Sequence, residues 1–296
     1  MNIGIIGSPK GNKELITQAK KFFSEVVYIP INEIKLEVGS DFTAWFGNRN
    51  LSKMDIILPL PTSNFEFFYM TLRILERHTL VTVPSSKFFL WWKKPAFFKL
   101  LAENGVGTRK SFMAAYAQTA NSIIKRLKLP LIVTLPSRKK VSVTNKNTLS
   151  DVLSLFSPGY TFVFKKLVKP DRNIWSLIIG DEIVTSYEKS RENEKRIKIN
   201  LESELKELVL KVRELLESEI CSVNLIQVKS RVFVNDVLLT PEFEIYKEVS
   251  GINVYEVLFS YLQKKLKKGM LTNIGKGVIS FIRWVENEIS NIRSSK

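Results

Sequence analysis

Short apolar runs alternate with amphipathic stretches along the first third of the chain. Asn2-Ile3-Gly4-Ile5-Ile6-Gly7, Val26–Ile29 and Asp55-Ile56-Ile57-Leu58-Pro59 read as buried strands, with a further strand at Leu80–Val83. Helical patterns fill the gaps, from residue 12 to about 24 and over 64–77. Strands that alternate with helices predict a small parallel α/β domain covering about 1–83. A single helical stretch is predicted over Ser86–Val106, ending where Gly105 suits a left-handed cap. Strands follow at Leu131–Val133, Lys140–Val143 and Thr161–Phe164, with a helix at 148–156. Leu177–Val184 reads as two strands joined by a Gly180-Asp181 turn. The helix over 201–219 carries Leu201, Leu205, Leu208, Val212, Leu215 and Leu216 on one face. Strands at 223–228 and 231–238 and a helix from about 253 to Lys268 complete the pattern. In the tail, Val278, Ile282, Val285, Ile289 and Ile292 recur at steps of four and three, predicting an amphipathic helix. Such a helix suits docking on its own domain, a partner helix, or self-association into a homo-oligomer.

Composition narrows the chemistry. Cys221 and His78 are the only cysteine and histidine, which excludes a disulfide framework and nearly excludes zinc sites and His-based triads. An enzyme with this composition works through carboxylates, lysines and backbone groups, with or without a hard cation. Gly4-x-x-Gly7-x-x-x-Gly11 lacks the dinucleotide-binding spacing and reads as a tight strand-to-helix turn. The N-terminus shows no signal-peptide pattern, and the most apolar window, Phe88–Phe98, is interrupted by Lys93, Lys94 and Pro95. A cytoplasmic protein without a transmembrane segment is expected. The aromatic residues of that window are expected to pack at an interface between lobes. The 45 Lys+Arg against 29 Asp+Glu give +16, which favours a polyanionic partner: an anionic small ligand, nucleic acid or an acidic protein.

Several segments then fall into a familiar order. These are Met54–Pro59, Val83-Pro84-Ser85-Ser86, Lys94, Lys99–Val106, Leu129–Val133, Gly180-Asp181-Glu182-Ile183-Val184, Ser222–Ile226, Val234–Pro241 and Ser250–Val254. Their collinearity over most of residues 1–268 resembles the RimK-like ATP-grasp ligases. The resemblance implies an α/β (α+β ATP-grasp) fold. It divides the chain into a pre-ATP-grasp domain (1–83), a central lobe with a lid (84–168), a C-terminal lobe (169–268) and a basic helical tail (269–296). It also implies ATP and magnesium as cofactors, and a reaction in which a carboxylate is activated as an acyl-phosphate and captured by an amine.

The positions that would run this reaction are altered. Lys94 stands at the first nucleotide lysine, but the second is Thr134, and the lid segment Pro136-Ser137-Arg138-Lys139-Lys140 has no glycine. The acidic residue of the adenine hinge is replaced by Lys165, beside Lys166. Asn173 and Trp175 stand at the substrate-side Asp and Arg. The metal positions carry Asn224, Asp236 and Leu238 in place of Asp, Glu and Asn. Lys94, Lys165, Lys166 and Arg138 are the candidate cofactor-binding residues, and Asp236 and Asn224 the candidate metal ligands. Ten basic residues, Lys94, Arg138, Lys139, Lys140, Lys165, Lys166, Lys169, Arg172, Arg196 and Lys198, are expected to converge on the cleft. Two readings remain open: a catalytically degenerate member that binds an anion or partner, and a divergent ATP-dependent carboxylate–amine ligase.

Overall fold

A computed structural model describes residues 1–8, 12–39, 42–60, 64–114, 117–135, 140–154, 162–190 and 194–268. The predicted tail helix, Arg138 and Lys139 lie outside the described residues.

The chain begins with β1 (Asn2–Gly7), α1 (Lys13–Ala19), β2 (Glu25–Pro30), β3 (Ile34–Glu37), β4 (Thr43–Phe46), β5 (Arg49–Asn50), β6 (Ile56–Pro59), α2 (Phe65–Leu75) and β7 (Leu80–Val81). Strands β2-β1-β6-β7 form a parallel sheet in that order. Both of its faces are covered, which is why β1 and β6 are continuous apolar runs rather than alternating ones. Asn12 caps α1 by accepting the Leu15 N–H at 3.1 Å. The antiparallel sheet β3-β4-β5 was not anticipated from the pattern; its strands are short and mix charged with aromatic residues.

The single helix predicted over Ser86–Val106 is two: α3 (Ser85–Trp92) and α4 (Lys94–Glu103). Lys93 between them leaves the helical region at ψ 71°. Pro95 accounts for the break, because in a continuous helix its ring would meet the carbonyl of Trp91. At the other end, Gly105 takes φ +74°. Gly105 N–H donates to Ala102 at 3.1 Å and Val106 N–H to Leu101 at 2.9 Å, the paired bonds of a glycine-terminated helix.

Next come β8 (Ser111–Ala114), α5 (Ala117–Leu127), β9 (Leu131–Thr134), β10 (Lys140–Val143), α6 (Lys146–Ser154) and β11 (Phe162–Lys166). Their antiparallel sheet, β10-β9-β11-β8, has a core of its own around Leu131, Val133, Val143, Phe164, Leu149 and Ile123.

The rest comprises β12 (Arg172–Ile179), β13 (Glu182–Lys189), β14 (Arg196–Ile199), α7 (Ser203–Leu216), β15 (Ile220–Val228), β16 (Arg231–Leu238), α8 (Phe243–Ser250) and α9 (residues 254–268). The sheet runs β14-β13-β12-β15-β16, all antiparallel. The Gly180-Asp181 turn joins β12 and β13 as predicted, with Gly180 at φ +62°.

Two cores bind this sheet to the N-terminal one. Ile6, Ile57 and Phe68 share a core with Phe88, Phe97, Val209, Ile178 and Val223, so α2, α3, α4 and α7 fill the space between the sheets. Ile3, Ile5 and Leu15 share the other with Leu177, Tyr246 and Phe259 from β12, α8 and α9. The smaller β8–β11 sheet meets this body through a parallel bridge between Thr108 and Val234, where Val234 N–H donates to Gly107 at 2.8 Å.

Candidate functional site: a lysine-lined cleft

The break at Lys93 puts Lys94 in the first turn of α4, facing the end of β16. Its Nζ lies 2.8 Å from Asp236 Oδ1 and 3.1 Å from the Val237 carbonyl. Trp91 supports this position from the preceding helix: its Nε1 donates to the same carbonyl at 2.7 Å, and Lys94 lies 4.7 Å over its ring. The other carboxylate oxygen of Asp236 is 2.9 Å from Nζ of Lys140, the first residue of β10 in the smaller sheet. The carboxylate expected at a metal position is therefore bridged by two ammonium groups. Burial works against the charge of Asp236, but the adjacent Lys94 and Lys140 outweigh it and hold the carboxyl well below the usual carboxylate range.

A local irregularity in β16 widens the site. Leu225 pairs with Val234 and Asn224 with Asp236, leaving Asn235 without a partner in the ladder. This bulge turns Asn235 and Asp236 toward the same cleft, which strict alternation would forbid. Asn235 accepts from Arg109 at 2.6 Å and donates to Asn224 Oδ1 at 2.7 Å. Arg109 also donates to the Lys166 carbonyl at 2.9 Å, so it ties β11 to β16. Burial lowers its pKa, and its Nε is buried without a hydrogen-bond partner among the described residues.

Lys165 and Lys166 part company because successive side chains of a strand face opposite ways. Lys166 turns to the carbonyls of Lys128 and Leu129, at 3.1 and 2.7 Å. Lys165 enters the cleft, where its Nζ stands 3.7 Å from the centre of the Phe98 ring. Burial, then the neighbouring charges of Arg109, Lys94 and Lys140, pull its pKa down to about 7 against the opposing pull of Asp236.

These groups line a cavity of about 210 Å³. Lys94, Lys140, Lys165, Asn235 and Asp236 supply its polar wall, and Trp91, Phe98, Val163, Leu238 and Thr134 the rest. A larger depression, about 580 Å³, lies between the β12–β13 turn and α9 and contains no comparable cluster of lysines.

The ten basic residues expected at the cleft do not all reach it. Lys94, Lys140 and Lys165 do. Arg172 is tied to Glu188 and Glu202, each at 3.0 Å, and Lys198 points to the Ser250 carbonyl at 3.4 Å. Asn224 is buried, with Nδ2 donating to Asn173 Oδ1 at 2.7 Å and to the Ile174 carbonyl at 3.0 Å. Arg109, Asn235 and the bridging role of Lys140 escaped sequence reading. Nothing in a single sequence marks the bulge that brings Asn235 inward, and Arg109 lies outside every segment that carries the resemblance.

Magnesium prefers several oxygen ligands in near-octahedral array. Here Asp236 is engaged by two lysines, the Asn224 oxygen is engaged by Asn235, and Leu238 offers no donor. This donor set does not fit a divalent cation. For a nucleotide, Lys94 and Lys140 suit phosphate, whereas Lys165 brings an amine to the place expected for the hinge acid.

A profile of the RimK-like ATP-grasp domain matches residues 93–262. The chain is 24% identical over 281 residues to the alpha-aminoadipate–LysW ligase LysX of Saccharolobus solfataricus, covering 86% of this chain and 98% of that protein. Its fold is similar to the RimK domain ATP-grasp protein of Sphaerobacter thermophilus, with a TM-score of 0.72 at 10% identity over 88% of this chain and 99% of the other. It is also similar to the ATP-grasp ligase PsnB, solved with a minimal precursor, Mg and ADP, with a TM-score of 0.67 at 12% identity over 90% and 98% of the two chains. The matched segment spans both sheets that enclose the lysine-lined cleft, and the chain belongs to the RimK-like ATP-grasp family.

Proposed function

We propose that this chain is a catalytically degenerate RimK-like ATP-grasp protein whose cleft binds an anionic group without a divalent metal. One observation carries this reading: Asp236 is bridged by Lys94 and Lys140. In a metal site that carboxylate would draw a cation, whereas here its charge is already met by two ammoniums, and Arg109 and the protonated fraction of Lys165 add further positive charge. A phosphate or carboxylate entering the cleft meets this excess of cations and competes with Asp236 for them. The cavity of about 210 Å³ supports a compact anionic group, presented either alone or by a larger partner such as an acidic peptide.

The second reading is a divergent ATP-dependent carboxylate–amine ligase. It is favoured by the retention of Lys94 in the cleft and by the ligase relatives that match nearly their full length. Calorimetric titration of the whole protein with ATP and with inorganic pyrophosphate, each with and without magnesium, separates the two. The degenerate reading expects binding that magnesium leaves unchanged or weakens, loss of affinity in Lys94→Ala, and no ADP release with amino-acid or peptide substrates. Micromolar ATP binding that requires magnesium, with ADP formed on adding a carboxylate and an amine, overturns it.

A further inference from the structure

Lys165 is the cleft group that no anion-binding role fully explains. Lys94 and Lys140 are both engaged with Asp236, whereas Lys165 makes no hydrogen bond or ion pair among the described residues. Its Nζ lies over the face of Phe98, and the apolar side chains of Val163 and Leu238 line the same cavity. An amine in such a place has little water to stabilise its charge, and the charges facing it from the packed elements are mostly of its own sign. Arg109 before β8, Lys94 on α4 and Lys140 on β10 repel its cation, and Asp236 on β16 alone attracts it. The pKa of about 7 that results leaves a large fraction of Lys165 as the free amine at neutral pH. Lysines become nucleophiles by this route, through desolvation beside another cation.

From the shared cavity we infer that Lys165 is a reactive amine that condenses with a small phosphorylated aldehyde or ketone, whose phosphate is held by Lys94 and Lys140. The inference rests on the anion-binding reading of the same cleft and names a class of ligand for it. The amine lone pair attacks the carbonyl carbon, forming the C–N bond as the C=O π pair moves to oxygen. One proton passes from nitrogen to that oxygen, and the proton first released by the ammonium returns to the hydroxyl, so that water leaves and the protonated imine remains. The balance is R–NH3⁺ plus O=CHR′ giving R–NH⁺=CHR′ plus H2O, with no oxidant or reductant needed. The apolar wall that deprotonates the amine also limits hydrolysis of the product.

The test uses the full-length protein and pyridoxal 5′-phosphate as probe, with pyridoxal as its phosphate-free counterpart. Imines are trapped by borohydride, which reduces them to secondary amines, and the adducts are located by peptide mass mapping. Lys165 is expected to label at least about tenfold faster than the exposed lysines at pH 7.5, since those are almost wholly protonated there. Labelling should level off near pH 8 instead of climbing toward 10, slow in the presence of inorganic phosphate, and be slower with pyridoxal. Lys165→Arg, which keeps the charge, should remove this fast adduct while still binding phosphate. Labelling spread evenly over the exposed lysines, or indifferent to phosphate, overturns the inference. If phosphate binds by calorimetry and no fast adduct forms, only the inference fails. If phosphate does not bind, the anion-binding reading fails with it.

Discussion

Asp236 gives the two functional readings opposite expectations. In a metal-dependent ligase, neutralising this carboxylate weakens nucleotide binding. Here it releases Lys94 and Lys140 from their internal partner, so Asp236→Asn should raise affinity for pyrophosphate by about tenfold, as calorimetry would show. The same change should lower stability by about 2–3 kcal/mol in urea denaturation, most of it from the partly buried Lys94 left uncompensated. Lys140 is more than half exposed, so its share is small. The pH dependence follows from the sign of the shift. The folded carboxyl titrates below its unfolded value, so its contribution is full above the ordinary carboxylate range and fades as pH falls toward the folded value. The stability gap between wild type and Asp236→Asn should therefore hold from pH 7 to about pH 5 and shrink below about pH 4. A gap that widens toward acid would contradict the bridge.

At the level of elements, the connection from α4 to β8 sets Arg109 in place. A Cβ on Gly107 would lie 2.7 Å from the Val232 carbonyl, so the loop and β16 must separate to admit it. Gly107→Ala should cost about 1–3 kcal/mol in chemical denaturation, by weakening the Thr108–Val234 bridge. Which elements could be read beforehand depended on how fully each one is buried. β1, β6, β12, β15 and α7 announce themselves because long apolar runs or a clean stripe face a core. β3, β4 and β5 are short and partly exposed, and α8 (Phe-Glu-Ile-Tyr-Lys-Glu-Val-Ser) is rich in residues that prefer strands, so tertiary packing rather than local preference makes it helical. The site followed the same rule. Lys94 and Asp236 were found through the segments around them, whereas the opposite destinations of Lys165 and Lys166 needed the strand's register, and Asn235 needed the bulge.

On the scale of the molecule, the N-terminal and five-stranded sheets are joined by two continuous cores, while β8, β9, β10 and β11 close over a third. Native-state hydrogen exchange should resolve this division. Amides of the smaller sheet are expected to open at lower free energy than those of β1, β6, β12 and β15, and a single common opening energy would refute it. The Lys140–Asp236 pair acquires a second meaning in that setting, since its two members belong to opposite walls of the cleft. Any ligand that captures Lys140 removes one fastener between the walls, beside the Arg109–Asn235 bond and the Thr108–Val234 bridge, so occupancy and hinge angle become coupled. Ions do part of the same job. X-ray scattering should show a larger radius of gyration at about 0.5 M salt than at about 0.02 M, because the Lys140 end of the pair is more than half exposed and open to screening. The cleft is then expected to behave as a clasp with an electrical spring, tight in dilute buffer and slack in brine.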